Sequence, residues 1–171
     1  MTTPTSSRWL KSTEWLAGEL GKPDVAVIDG SYYLPTQNRD ARAEYAAAHI
    51  PGAVFFDIDG VADHTTGLPH MLPTPGEFSK AVGSLGIGDG DTGVAYDGAG
   101  LFSAPRLWWT LKAMGHDQVK VLDGGFPKWR REGRAVESGP ARPARPCMKP
   151  SCRLNRCTSA QDRAGSHPTE L

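Results

Sequence analysis

The chain has 171 residues, 19 Lys and Arg against 19 Asp and Glu, 39% hydrophobic and 22% charged residues, which suits one globular domain with some remainder and excludes disorder throughout. No apolar run approaches the ~18 residues of a membrane span, and Arg8 and Lys11 interrupt the first twenty residues, so neither a membrane partner nor a signal peptide is expected and the location expected is cytoplasmic. A formal net charge of zero gives no reason to expect nucleic acid as a partner.

The charge is unevenly spread. Residues 1–140 carry 13 basic and 17 acidic side chains, net −4, whereas residues 141–171 carry 6 and 2, net +4. All three cysteines, Cys147, Cys152 and Cys157, fall in that last segment, whose only large apolar side chains are Met148, Leu154 and Leu171. So little apolar surface cannot offset the entropy of ordering the chain. The sequence therefore predicts a domain over 12–140 and a disordered basic tail over 141–171, opened by the turn-rich run Gly139-Pro140-Ala141-Arg142-Pro143.

Ser12 is a candidate N-cap for a helix over Thr13–Leu20, stopped by Gly21 and Pro23. Val25–Ile28 reads as a buried strand ending at Asp29-Gly30. The Ala-rich run Arg39–Ala48 predicts a helix, closed by His49-Ile50-Pro51-Gly52 before a strand over Ala53–Ile58. Pro75–Leu85 is a third helix with Pro near its start, followed by a Gly/Asp turn and a strand over Thr92–Tyr96. The loop Asp97–Phe102 leads into a helix over Ser103–Met114. Val119–Leu122 is the last strand and Phe126–Arg131 a short final helix. Regular alternation of strand and helix predicts an α/β fold, a parallel sheet with helices on both faces and right-handed crossovers.

Ligands of such sheets sit beyond the carboxyl ends of the strands, here the loops after Ile28, Ile58, Tyr96 and Leu122. The loop Asp97-Gly98-Ala99-Gly100-Leu101-Phe102-Ser103-Ala104 joins a strand directly to a helix N-terminus, where free backbone N–H groups favour an anion. The plain reading is that Asp97 and Ser103 cap that helix.

The strings Asp29-Gly30-Ser31-Tyr32-Tyr33-Leu34-Pro35, Arg39-Asp40-Ala41-Arg42-Ala43-Glu44-Tyr45, His49-Ile50-Pro51-Gly52-Ala53, Phe55-Phe56-Asp57-Ile58, His70-Met71-Leu72-Pro73, Leu101-Phe102-Ser103-Ala104-Pro105-Arg106-Leu107-Trp108-Trp109 and Leu122-Asp123-Gly124-Gly125-Phe126 follow one another in order. From about Ser12 to about Pro140 the chain strongly resembles the N-terminal half of tandem-domain rhodaneses, the thiosulfate and 3-mercaptopyruvate sulfurtransferases in particular. The resemblance implies a rhodanese-like domain that faces a second one. There a cysteine takes sulfur from the donor, holds it as a persulfide and delivers it to a thiophilic acceptor. It also implies that this first domain is catalytically silent, because Asp97 stands where the cysteine would be, so no catalytic residue is expected here and the chain alone is expected to be inactive. A second domain would be about as long as the first, and the abrupt change of composition after about Pro140 leads us to expect a truncation or a shifted reading frame there.

By the same resemblance Arg106 is expected to reach the interdomain cleft and hold an anionic donor, against the plainer expectation of a pair with a nearby carboxylate. Gly98, Gly100 and Ser103 complete the loop around Asp97. Asp40, Arg42 and His49 are expected on the cleft side or as supporting structural groups. Pro127 and Lys128 follow Gly125-Phe126 where many relatives have a further cleft arginine. Trp108, Trp109 and Trp129 are expected in the core. No cofactor and no metal are expected. The partners expected are a small anionic sulfur donor once a C-terminal rhodanese domain is supplied, and a second copy through the exposed interdomain face.

Three other patterns compete. Cys147 with Arg153, and Cys157 with Arg163, fit the C-x5-R spacing of phosphatase loops, but neither has a preceding strand or a glycine within the loop. Cys147, Cys152, Cys157 and His167 could ligate zinc but lack a C-x2-C knuckle. Gly98-x-Gly100 is half a dinucleotide fingerprint, with Ser103 replacing the third glycine. A non-enzymatic rhodanese-like binding module is the main alternative to a sulfurtransferase half, and a phosphatase or redox protein using the tail thiols is the third.

Overall fold

In the computed structural model, described for residues 7–140, five strands form one parallel sheet in the order β1-β5-β4-β2-β3. The elements run β1 (Leu10–Lys11), α1 (Thr13–Glu19), β2 (Val25–Asp29), a 3-10 turn (Pro35–Gln37), α2 (Ala41–Ala47), β3 (Val54–Phe55), α3 (Pro75–Ser84), β4 (Thr92–Tyr96), α4 (Ala104–Ala113), β5 (Val119–Leu122) and α5 (Gly125–Arg131). This is the α/β arrangement that the alternation predicted. The expectations for residues 141–171 lie outside the described residues.

Period-two alternation sorts the strands onto two cores. Ala26, Ile28, Val54, Ala95, Val119 and Val121 face α3 and α4, meeting Phe78, Val82, Leu107 and Leu111. Val27, Phe55, Val94, Tyr96 and Leu122 face the other way, against Leu16 of α1, Tyr45 of α2 and Trp129 of α5. Strands buried on both faces read as continuous apolar runs, which is why Val25–Ile28 is legible, while Val119–Leu122 is legible from three apolar residues around Lys120.

Local chemistry sets the helix starts. Ser12 Oγ accepts the Trp15 N–H, Asp40 caps α2 through Ala43 N–H, and Thr74 and Glu77 bond each other's backbone around Pro75 at the start of α3. Three expectations need correction. The strand predicted over Ala53–Ile58 keeps only Val54–Phe55 in register with β2, because Phe56 is followed by a turn in which Asp57 Oδ1 accepts Gly60 N–H at 2.9 Å. The two-residue β1 carries no periodicity and was missed. Of the three tryptophans expected in the core, Trp129 is buried and donates to Ala135 O at 2.8 Å, Trp108 is half-buried, and Trp109 is 43% exposed.

Candidate functional site

Asp97, the first residue after β4, is fully buried, and its carboxylate is the hub of the loop that leads into α4. Oδ1 accepts the N–H groups of Ala99, Gly100 and Leu101 at 2.9, 2.5 and 3.1 Å. Oδ2 accepts those of Phe102, Ser103 and Ala104 at 2.7, 2.8 and 2.8 Å. Six successive backbone donors thus close around one anion. The curl needs left-handed backbone at Gly100 (φ 99°) and at Leu101 (φ 130°), where a residue with a Cβ carries strain. From below, the start of α5 presses on the loop. Phe126 N–H donates to Asp97 O at 2.9 Å, and a Cβ on Gly125 would lie 2.6 Å from that same oxygen. Only glycine permits the approach.

Two serines tie the loop to the segment after β2. Ser31 Oγ accepts Gly98 N–H at 2.8 Å, and Ser103 Oγ accepts Tyr32 N–H at 3.1 Å. The expectation that Asp97 and Ser103 both cap α4 is therefore half correct. Ser103 occupies the N-cap position without a side-chain cap bond, because its hydroxyl is turned to Tyr32. Asp97 supplies the cap from six residues upstream. The half-fingerprint Gly98-x-Gly100 is corrected as well, since the loop's N–H groups point at Asp97 and none of these six is left to cradle a pyrophosphate. Beside it, burial raises the pKa of Asp29, the nearby charge of Asp97 adds to that, and hydrogen bonds from Ser31 and Tyr96 oppose it.

Chemically the arrangement is an anion hole filled by the chain's own carboxylate. A thiolate or persulfide held by the same donors would be stabilised as a sulfur nucleophile, whereas a carboxylate oxygen cannot take up, store and release a sulfane sulfur.

Arg106 lies in the first turn of α4, half-buried, and donates from Nη2 to the carbonyl of His70, with its guanidinium 4.6 Å from the Trp109 ring centroid. Among the described residues no carboxylate pairs with it, contrary to the plainer expectation. His70 adopts left-handed backbone (φ 56°) in the segment between β3 and α3, where Asp63 and Met71 form an antiparallel bridge. Its Nδ1 lies 2.8 Å from Asp59 Oδ1 without hydrogen-bond alignment, and its ring meets Tyr32 edge-on at 4.8 Å. The pairing of Asp59, His70 and Arg106 was not read from the sequence. His70 stood in a quoted motif, but nothing in the spacing shows that this loop folds back on α4.

Of the remaining sequence candidates, Asp40 and Arg42 line one cavity with Asp57 and Asp59, and His49 lies apart from it. Asp40 caps α2, Arg42 pairs with Asp57 at 3.0 Å, and His49 is buried, stacked on Tyr45 at 4.1 Å with Nδ1 2.8 Å from Tyr45 O. Lys128, at the position next to the missing arginine, is tied to Asp123 at 2.6 Å. Leu101 and Phe102 on the loop and Trp109 on α4 are 40%, 53% and 43% exposed. The cysteine patterns at 147–163 lie outside the described residues.

A model of the rhodanese-like domain matches residues 12–132. The chain is 48% identical over 134 residues to thiosulfate/3-mercaptopyruvate sulfurtransferase 1, mitochondrial, of Arabidopsis thaliana, a match spanning 78% of this chain and 35% of that protein. It is 44% identical over 157 residues to the 3-mercaptopyruvate sulfurtransferase of Rattus norvegicus, spanning 87% and 53%. Among solved structures, SseA, a 3-mercaptopyruvate sulfotransferase of Escherichia coli with the rhodanese fold, superposes with a TM-score of 0.75 at 41% identity over 78% of this chain and 52% of that one. The chain spans about half the length, or less, of such relatives. Sequence match, superposition and the strand-loop-helix around Asp97 agree: the chain belongs to the rhodanese-like domain family.

Proposed function

We propose that this domain is the non-nucleophilic half of a sulfurtransferase that moves sulfane sulfur from thiosulfate or 3-mercaptopyruvate to a thiophilic acceptor. The observation that carries this reading is the six-donor cradle closed on Asp97, a sulfur-transfer loop with a carboxylate in the anion's place. In thiosulfate chemistry the thiolate of a second rhodanese domain attacks the outer sulfur, the S–S bond breaks with release of sulfite, and a persulfide forms. The acceptor then removes the outer sulfur and returns the thiolate. This domain supplies surroundings rather than the nucleophile. Arg106, fixed by His70 O and Trp109 and unpaired with any carboxylate among the described residues, offers its remaining N–H groups to an anionic donor.

The test is sulfur transfer by the chain as it stands. Thiosulfate with cyanide, or mercaptopyruvate with a thiol, should turn over no faster than with the same concentration of a small free thiol. The variant Asp97→Cys should acquire a persulfide on incubation with thiosulfate, read by mass spectrometry as a gain of one sulfur. Robust turnover by the unaltered chain would overturn the proposal in favour of another nucleophile.

A further inference from the structure

At the opposite edge of the sheet from β3, three cations gather around Trp9 and a fourth lies over the neighbouring Trp15. The Trp9 ring centroid is 4.6 Å from the Arg8 guanidinium carbon, 5.1 Å from Lys112 Nζ and 5.8 Å from Lys120 Nζ. Lys11, in the edge strand β1, packs over Trp15 at 5.5 Å. Trp9 itself is fixed edge-on against Trp108 at 5.2 Å, so the cations surround a rigid post. Lys112 is the one of the four with an ion pair among the described residues, to Asp117 at 2.8 Å, and Lys120 Nζ bonds only the Arg8 carbonyl, at 3.4 Å. The crowding is repulsive. Lys120 is held below the usual lysine pKa by its partial burial first, and then by Lys11, Arg8 and Lys112. A domain that is net −4 over residues 1–140 has thus collected four cations on one edge, with Lys112–Asp117 as their one ion pair among the described residues.

We infer that this edge is a docking surface for a short acidic segment of another protein. The cations are spread around the Trp9 ring and over Trp15, which suits several carboxylates spaced along a chain better than a single small anion. A short acidic segment is met by the local field of these cations within about one Debye length. The surface lies at the edge formed by β1 and β5 and uses neither the Asp97 loop nor Arg106, so the inference does not rest on the function proposed above.

The test is titration of the full chain with a hexaglutamate peptide in low salt, followed by tryptophan fluorescence, with hexalysine and a single-stranded oligonucleotide of equal charge as comparisons. Hexaglutamate should bind, and the double substitution Lys11→Gln with Lys120→Gln should weaken it at least tenfold, as should 0.3 M NaCl. Arg130→Gln with Arg131→Gln, on α5, should leave binding unchanged. Because removing cations from a repelling cluster relieves strain, the Lys variant should keep or raise Tm, which separates loss of binding from loss of fold. No binding of hexaglutamate, binding unaffected by the Lys pair, or tighter binding of the oligonucleotide would each overturn the inference.

Discussion

Replacing Asp97 by asparagine changes no volume to speak of and tests what holds the loop together. In the native loop each carboxylate oxygen receives three N–H donors. The asparagine oxygen can keep one trio, but its NH2 group then faces the other, leaving three donors without an acceptor and two amide hydrogens pointed at them. At about 1–3 kcal/mol for each unsatisfied buried donor the cost is roughly 3–9 kcal/mol. The native state is only about 5–15 kcal/mol stable, so the loop should open locally before the whole cost is felt. We expect a net loss of about 3–5 kcal/mol, which for a domain of this size is a fall in Tm on the order of 10–20 °C. Thermal denaturation followed by circular dichroism measures it, and amide hydrogen exchange of residues 99–104 should show whether the loop opens first. In contrast, Asp97→Cys keeps an ionisable acceptor, and its thiol should titrate well below the ordinary cysteine value because the same six N–H groups favour the thiolate. An Asp97→Asn protein within 2 °C of the wild type in Tm would show that the carboxylate is a passenger and the curl is held by the glycines and the clamp from α5.

Three further outcomes follow from particular contacts. A Cβ on Gly98 would lie 2.3 Å from Tyr33 Oη, which is bonded to Glu44 and Arg39, so Gly98→Ala should cost about 1–3 kcal/mol in urea denaturation; no loss would show that this segment yields freely. Burial lowers the pKa of His116, against the opposing pull of Asp91, Asp89 and Asp117, so the folded state resists protonation that the unfolded state accepts: its stabilising effect is complete above about pH 6.5 and is lost as pH falls below it. Tm should drop between pH 7 and 5, and less so in His116→Leu, while Asp29, whose raised pKa favours the folded state at low pH, acts in the other direction; an unchanged pH profile in His116→Leu would refute the assignment. Finally, Leu101, Phe102 and Trp109 put apolar surface beside the loop, so the chain should self-associate at micromolar concentration in sedimentation velocity and Phe102→Ser should reduce it; a monomeric wild type at high concentration would refute it.

The fold was legible because its signals are local and repeated. Two-sided burial writes β2 and β4 as largely apolar runs and β5 as three apolar residues around Lys120, and Ser12 and Pro75 announce helix starts that the structure places within a residue or two. What escaped depends on distant partners. Leu10–Lys11 is a strand solely because β5 lies beside it, with Val121 N–H donating to Trp9 O and Asp123 N–H to Lys11 O. Trp109 has the composition of a core residue, yet α4 turns it outward one position from buried Thr110, and helix phase over a ten-residue segment with three aromatic or aliphatic neighbours does not fix which face is inside.

The candidate site divides along the same line. Asp97 could be singled out because its meaning lies in a contiguous loop: strand end, two glycines and helix start, all within eight residues. What the sequence could not supply is the count of donors. A capping aspartate satisfies one or two N–H groups, whereas this one satisfies six, and the difference comes from the positive φ at Gly100 and Leu101 and from Gly125 pressing on the loop from another element. His70, Asp59 and Arg106 meet across 47 residues of chain, through a bridge between Asp63 and Met71 that no periodicity encodes. The cradle is thus a folded object of this domain, closed on the carboxylate of Asp97. Glycines and the packing of α5 permit the curl of the backbone, and the six bonds to the Asp97 carboxylate are what hold it closed.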